Sequence, residues 1–403
     1  MSLAANKRVL SGMRPTGQLH LGHYHGVLKN WLQLQHEFEC FFFVADWHAL
    51  TTNYEETGFI ADSAFDIVVD WLSVGINPSA ATIFVQSRVP EHAELHLLLS
   101  MITPLSWLER VPTYKDQQEK LSGRDLLTYG FLGYPLLQAA DILIYKAGQV
   151  PVGEDQVAHI ELSREIARRF NFIFGRELGF EEKALAAVRK LGKRTAALYQ
   201  ELRKRYQEEG LTEALERAQA LLEGQQNISI GDRERLLGYL EGGGKVILPE
   251  PRALLTPESK MPGLDGEKMS KSYHNTIGLR EAPDSVRQKL RTMPTDPARV
   301  RRTDPGDPAR CPVWKFHEIY STSEVRQWAQ EGCRTAGIGC LDCKQPIIDA
   351  VLKEQAPIRE RSEEFLGDRE TVEAILDEGC EVARKAARET LDEVRQAMNL
   401  DYR

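Results

Sequence analysis

Arg8-Val9-Leu10-Ser11-Gly12-Met13-Arg14-Pro15-Thr16-Gly17, closely followed by His20-Leu21-Gly22-His23, reads as a short strand, a glycine-rich turn and the opening of a helix. The helix is expected because Leu21, Leu28, Trp31 and Leu32 recur at helical spacing. His20 and His23 then start it on one face. A helix start exposes unpaired backbone N–H groups and the positive end of the dipole, so two imidazole donors placed there suit an anionic oxygen such as an ATP phosphate. Gly12, Gly17 and Gly22 let the backbone approach such a ligand closely.

Outward from this stretch, Cys40 to Ala45 and Thr82 to Val85 read as further strands, separated by helical stretches such as Phe59 to Leu72. That alternation predicts an α/β fold with a Rossmann-like, doubly wound parallel sheet. Such sheets bind ligands beyond the carboxyl ends of their strands, where the turn before His20 and the segment Asp46-Trp47-His48 would lie. From Arg176 to Lys245 the composition shifts to Ala, Leu, Glu, Lys and Arg, which predicts a helical insert. The strand pattern is expected to resume at Val246-Ile247-Leu248, and everything beyond Asp284 reads as helices. The resulting division is 1–175 (Rossmann-type catalytic domain), 176–245 (helical insertion), 246–284 (end of the catalytic domain) and 285–403 (α-helical domain).

A second motif, Lys268-Met269-Ser270-Lys271-Ser272, follows Pro262-Gly263 and Asp265-Gly266, which reads as a mobile loop able to close over a polyphosphate. The chain has 403 residues, 42% hydrophobic and 27% charged, enough for a large core. No run approaches the 18 or so apolar residues of a membrane span, and the N-terminus lacks a secretory pattern, so a cytosolic protein is expected. A net charge of −8 argues against indiscriminate coating of nucleic acid. One basic stretch stands out, with Arg287, Lys289, Arg291, Arg299, Arg301, Arg302 and Arg310 as candidate phosphate contacts. Of the cysteines, Cys311, Cys333, Cys340 and Cys343 cluster late, which suggests a metal site in a reducing compartment rather than disulfides; the spacing leaves iron–sulfur and zinc both open. Cys40 and Cys380 read as ordinary core or surface thiols.

The two motifs in this order resemble the signatures of class I aminoacyl-tRNA synthetases. Tyr134-Pro135-Leu136-Leu137-Gln138-Ala139-Ala140-Asp141-Ile142-Leu143-Ile144-Tyr145, Val150 to Gln156, Ala45-Asp46-Trp47-His48-Ala49 and His159 to Arg164 resemble the tryptophanyl-tRNA synthetases in particular. The resemblance implies ATP-dependent activation of L-tryptophan and its transfer to tRNA(Trp), with Mg²⁺ on the ATP tail, a homodimer, and no role for membrane or DNA. It assigns catalysis to His20, His23, Lys268 and Lys271. Arg14, Pro15, Thr16, Gly22, His23, Lys120, Gly153, Glu154, Asp155, Met261, Lys268, Met269, Ser270, Lys271 and Ser272 would bind ATP. Leu10, His48, Tyr134, Gln138, Asp141 and Gln156 would bind tryptophan, Asp141 by accepting the indole N–H and Tyr134 and Gln156 by holding the ammonium. Gln138 departs from related enzymes that carry methionine there. The four late cysteines resemble the ligands of a 4Fe-4S cluster in a bacterial subset of the family, in the domain that meets the anticodon.

The residues agree with this assignment. Asp141 lies among Ala139, Ala140, Ile142 and Leu143, and a carboxylate in such surroundings is costly unless something donates to it, as an indole can. A tyrosyl enzyme would instead pair an Asp with a tyrosine around the phenol, and a small-molecule nucleotidyltransferase would share the first motif but lack the late helices.

Overall fold

The computed structural model describes residues 7–111, 128–177, 179–255 and 261–402. Five parallel strands, β1 (Arg8–Met13), β2 (Glu39–Val44), β3 (Ala81–Val85), β4 (Gln149–Val152) and β5 (Arg252–Leu255), lie in the order β3-β2-β1-β4-β5. The order reverses between β1 and β4, which makes the carboxyl ends of these two strands the expected binding crevice.

Alternation along the strands sends Val9, Cys40, Phe42, Val44 and Ile83 into one hydrophobic core and Leu10, Phe41, Phe43 and Phe84 into another on the opposite face. Helices cover both faces, as a parallel sheet requires. On the first face lie α1 (Leu21–His23), which continues as a π turn (Tyr24–Leu28) into α2 (Lys29–Glu37), together with α4 (Ile60–Val74). The second face is covered by α5 (Glu91–Ser100), α7 (Tyr129–Ile144) and α8 (Val157–Phe174). Two short helices, α3 (Asp46–Asn53) and α6 (Leu105–Glu109), complete this part.

The stretch beyond α8 holds α9 (Phe180–Lys190), α10 (Lys193–Glu209), α11 (Thr212–Glu223) and α12 (Ile230–Leu240), packed around a separate small core that includes Tyr199, Leu202, Ala218, Leu222 and Leu236. The chain leaves and returns at one backbone crossing. Lys245 N donates to Gly175 O at 2.7 Å, and a Cβ on Gly244 would come within 2.3 Å of the Gly175 backbone, so both positions need glycine.

The expected strand at Val246-Ile247-Leu248 does not form. The N–H groups of Ile247 and Leu248 both donate to the Asn171 side-chain oxygen, at 2.8 and 3.0 Å, so they are unavailable to a ladder, and the strand begins later, at Arg252.

After the second motif come α13 (Pro283–Thr292), α14 (Pro312–Tyr320), α15 (Ser323–Arg334), α16 (Cys340–Gly367) and α17 (Arg369–Ala397). They share the cores of the sheet: Ile347, Ile348 and Val351 of α16 join the first, and Ala383, Ala387 and Leu391 of α17 join the second. Helix α17 crosses the β3 edge, where a Cβ on Gly379 would lie 1.8 Å from the Ile83 carbonyl oxygen. That edge is thereby covered.

Candidate active site

β1 ends in the turn carrying Arg14, Pro15 and Thr16, and the chain then enters α1 with His20 as its N-cap. His20 is only 6% exposed. Its Nδ1 accepts from the Gly22 N–H at 3.1 Å, while its own N–H donates to His23 Nδ1 at 3.3 Å. With both Nδ1 atoms accepting, both rings carry their proton on Nε2. Burial, reinforced by Lys271, lowers His20 to about 4; burial, His20 and Lys271 lower His23 to about 3. Both are therefore neutral donors at pH 7, and the positive charge of the site belongs to the lysines.

The segment that follows the second motif, Ile277 to Leu279, pairs through its backbone with the start of the first. Leu21 N donates to Ile277 O at 3.0 Å, Leu279 N donates to Leu19 O at 2.9 Å, and His20 bridges Gly278. Lys271 Nζ reaches Thr16 O at 2.8 Å. Met261 and Met269 are buried in the first core, and the Lys268 side chain is exposed. The loop itself is organised around buried Asn275: its Nδ2 donates to the Asp265 carboxylate (2.9 Å) and to Lys268 O (3.1 Å), while its Oδ1 accepts from Ser270 N (2.8 Å). What the sequence suggests is a mobile loop thus has a defined frame here, with Ser270 and Ser272 on it.

A further residue braces this junction. Asp70, wholly buried on α4, accepts from the Leu19 N–H at 2.8 Å and from Arg280 Nε at 2.5 Å. Burial raises its carboxyl to about 6 despite the Arg280 guanidinium and the Leu19 N–H. Asp70 and Arg280 escaped the sequence reading, since an acid within an apolar helix signals nothing until its partner arrives from 210 residues away.

β4 ends at Val152, and Gly153 caps the following turn, in which Glu154 and Asp155 are exposed and Gln156 donates to Asp155 at 3.1 Å. These residues stand across the β1/β4 switch point from Arg14 to Thr16. Lys120 lies outside the described residues.

On the opposite face of the sheet, Asp141 of α7 is 1% exposed. Its Oδ2 accepts from His48 Nε2 at 2.8 Å, and its Oδ1 from Gln86 Nε2 at 2.8 Å and His92 Nδ1 at 2.6 Å. His92 in turn contacts the Tyr145 hydroxyl at 2.7 Å. Burial alone would raise the Asp141 pKa; the hydrogen bonds and charges of His48 and His92 outweigh it and hold the carboxyl below its ordinary value. Asp141 is therefore not an acceptor awaiting a first donor, as its apolar neighbours suggest, but the hub of a network that sequence reading missed at Gln86, His92 and Tyr145. The available signal was polar residues directly after strand β3. Leu10 is buried in the core beneath, the Tyr134 ring lies 5.5 Å from that of His159, and Gln138 is half-buried on the same helix. A cavity of about 370 Å³ opens between α3, α5 and α7, lined by Trp47, Leu50, His96, Tyr129, Gly133 and Leu137.

The four late cysteines come from three segments: Cys311 caps α14, Cys333 ends α15, and Cys340 and Cys343 open α16. Burial, and then the other three thiols, push Cys343 up to about 12, so the four lie within electrostatic reach of one another. A Cβ on Gly306 would sit 2.7 Å from Cys333 Sγ, and His317 Nε2 lies 3.3 Å from Cys343 Sγ. Among the described residues no group of three or more His, Cys, Asp or Glu side chains is arranged to hold a metal ion. Of the basic stretch, Arg299 is buried against the carbonyls of Arg302 and Ile338, and Lys289 pairs with Glu281; Arg287, Arg291, Arg301, Arg302 and Arg310 are exposed.

A family model described as "tRNA synthetases class I (W and Y)" matches residues 3–193 and 226–354, passing over the middle of the helical insert. The chain is 65% identical over 396 residues to the tryptophan–tRNA ligase of Ralstonia nicotianae, covering 98% of this chain and 99% of that one. It is 46% identical over 397 residues to the tryptophan–tRNA ligase of Thermotoga maritima, covering 98% and 100%. Its fold is similar to the tryptophanyl-tRNA synthetase of Campylobacter jejuni solved with ADP and tryptophan, at a TM-score of 0.73 and 27% identity over 98% of this chain and 100% of that one. With both signature motifs joined at the switch point of a parallel sheet and these likenesses along nearly its whole length, the chain belongs to the class I aminoacyl-tRNA synthetases, among the bacterial tryptophanyl-tRNA synthetases.

Proposed function

We propose that this chain is a tryptophan–tRNA ligase. The observation that carries the reading is the joining of the two motifs, with Lys271 on the Thr16 carbonyl beside the His20–His23 helix start, at the carboxyl end of central strand β1, while the Asp141 network lies on the sheet's other face. In the first step a tryptophan carboxylate oxygen attacks the α-phosphorus of ATP, the bond to the β-phosphate oxygen breaks, and pyrophosphate leaves. In the second a hydroxyl of the tRNA terminal adenosine attacks the activated carbonyl and AMP leaves.

No side chain need act as nucleophile; positioning and charge stabilisation suffice for chemistry of this kind. His20 and His23 donate through Nε2–H to phosphate oxygens without adding charge, and Lys268 and Lys271 supply the positive charge. Arg14 to Thr16, Gly22, Gly153 to Asp155, Met261 and Met269 to Ser272 frame the nucleotide. Mg²⁺ enters with ATP on its phosphate oxygens, a hard-ligand setting that suits it. Asp141 with His48 selects the indole N–H, and a buried polar site of this type discriminates against an analogue lacking the donor by about four to five orders of magnitude, a size taken from the related tyrosyl enzyme. Leu10, Tyr134, Gln138 and Gln156 complete the amino-acid side.

The same reading extends to the rest of the molecule. The helices beyond residue 284 meet the anticodon arm, with the exposed arginines of the loop before α14 on phosphates, and the insert of 176–245 adds packing or RNA surface. Cys311, Cys333, Cys340 and Cys343 would hold a 4Fe-4S cluster, with zinc as the alternative; four thiols brought from three segments supply the ligand number either centre needs, and its part would be to brace the arginine loop. Iron and sulfide analysis after anaerobic purification, repeated on Cys343→Ser, separates the two metals. Exposed Leu97, Met101, Leu105 and Tyr129 suit a second copy of the chain, which sedimentation would detect as a dimer. No helix among the described residues is long and apolar enough to cross a membrane, and the enzyme acts in the cytosol with its tRNA.

The deciding experiment is ATP–pyrophosphate exchange with each amino acid in turn. Exchange with tryptophan alone is expected; exchange with tyrosine would overturn the pocket assignment, and absence of exchange the ligase assignment.

A further inference from the structure

Helix α16 opens at Cys340 and Cys343 and, eleven to twelve residues after Cys343, presents two adjacent side chains to the two ATP motifs separately. Glu354 faces the first. Its Oε2 lies 3.0 Å from His25 Nε2 and accepts from the Tyr320 hydroxyl at 2.8 Å, while its Oε1 accepts from Lys29 Nζ at 2.9 Å. His25 sits in the π turn that directly follows His23, and Tyr320 ends α14, whose N-cap is Cys311. A single π turn inside an α-helix is a local departure that recurs at functional sites. Here it turns His25 toward the C-terminal helices, where it also contacts the Tyr320 hydroxyl at 2.9 Å.

Gln355 faces the second motif. It is fully buried, and its Nε2 donates to Gly278 O at 2.7 Å and Leu279 O at 3.3 Å. Gly278 bridges His20, and Leu279 N pairs with Leu19 O, so these carbonyls belong to the strip of backbone that joins the second motif to the helix start. The rest of α16 is tied down on both sides: Lys344 Nζ donates to Arg291 O and Met293 O, at 2.7 and 2.6 Å, and Arg361 Nε to Ser73 O, at 2.6 Å. Pro346 and Pro357 interrupt the hydrogen-bond ladder of α16, and these anchors on either side of them hold the helix in place. From Cys343 to Glu354 the helical rise amounts to about 16 Å.

We propose that Glu354 and Gln355 are positioning residues for ATP, holding the His20–His23 helix and the strip after Lys271 in mutual register, and that through them α14 and α16 couple the cysteine-bearing region to adenylate formation. The inference rests on the assignment of the two motifs to ATP. Tyr320 is its link to α14, because its hydroxyl meets both His25 and Glu354.

The test is ATP–pyrophosphate exchange by full-length protein carrying Glu354→Gln, Gln355→Met or Tyr320→Phe, with Lys271→Ala alongside and thermal melting of each. Misplacing a reacting group by an ångström costs about a hundredfold, so a loss of about tenfold or more in kcat/KM for ATP is expected for Glu354→Gln and Gln355→Met, and a smaller loss for Tyr320→Phe. The KM for tryptophan should stay within about twofold, because that pocket lies on the other face of the sheet. Parent-like ATP kinetics in all three variants would overturn the proposal. So would equal losses for ATP and tryptophan accompanied by a lower Tm, which mark a merely structural role. Should Glu354→Gln fail to fold, Tyr320→Phe decides by the same split. If Lys271→Ala uses ATP normally, the motif assignment itself has failed, which is distinct from a normal Glu354→Gln beside an impaired Lys271→Ala.

Discussion

Asp141 keeps its charge in the core because His48, Gln86 and His92 all donate to it, and the same three side chains fix the direction of its one remaining lone pair, on Oδ2. Removing a charge from such a network leaves its partners buried and unpaired, which costs about 3 to 5 kcal/mol. Asp141→Asn keeps the shape but removes the charge and turns a donor either toward His48 or toward Gln86 and His92. The expected result is a loss of about 3 kcal/mol in urea denaturation together with impaired tryptophan activation. Unchanged stability would show that the network does not carry the charge. Much of this site was legible in the chain: Asp141 and His48 were found by their motifs. Gln86 and His92 were not, because their contribution comes from two other elements converging on one carboxylate.

At the scale of elements, the most exacting contact is α17 against the β3 edge. Gly379 admits the Ile83 carbonyl so closely that any side chain would push helix and strand apart. Overpacking of this kind commonly costs about 1 to 3 kcal/mol and more where backbone must move. Gly379→Ala is expected to lose at least about 2 kcal/mol in denaturant unfolding, at the upper part of that range. A parent-like midpoint would mean that α17 can shift without loss. The stretch beyond Asp284 reads as helices, yet nothing in the sequence of α17 announces which strand edge it covers. The misplaced strand at Val246 has a related cause: an apolar run has strand character, but Asn171 of α8 captures its N–H groups before a neighbouring strand can.

For the whole molecule, the buried histidines set the response to acid. His20 and His159 are lowered to about 4 and His23 to about 3, in each case chiefly by burial, from an ordinary 6.5. Their folded values lie below the unfolded one, so below pH 6.5 the unfolded chain takes up protons that the folded chain refuses. Stability is therefore full above that pH and falls toward pH 4, by on the order of 1.4 kcal/mol per pH unit for each histidine. Asp70 acts in the opposite sense, since its carboxyl is raised to about 6 and the folded chain gains a proton first. His96 and His317 are lowered too, chiefly by burial, and burial raises Glu241 as it does Asp70, so five histidines stand against two carboxyls; urea midpoints at pH 7 and pH 5 should show a clear fall, and a rise on acidification would mean that these rings are accessible to protons in the folded state.

The sequence by itself determined the parallel α/β sheet and singled out the two motifs, Asp141 and the late group of cysteines as candidates, because each is written locally: in alternation, in turn chemistry, or in a short run of residues that resembles a known family. Only the tertiary structure decided how the motifs meet. Asp70 with Arg280, and Glu354 with Gln355 on α16, join segments far apart in the chain, and a pairing across such distances has no period and no local propensity to betray it. The same holds for the C-terminal helices: their periodicity marks an apolar face, and only packing shows that face completing the two cores of the sheet.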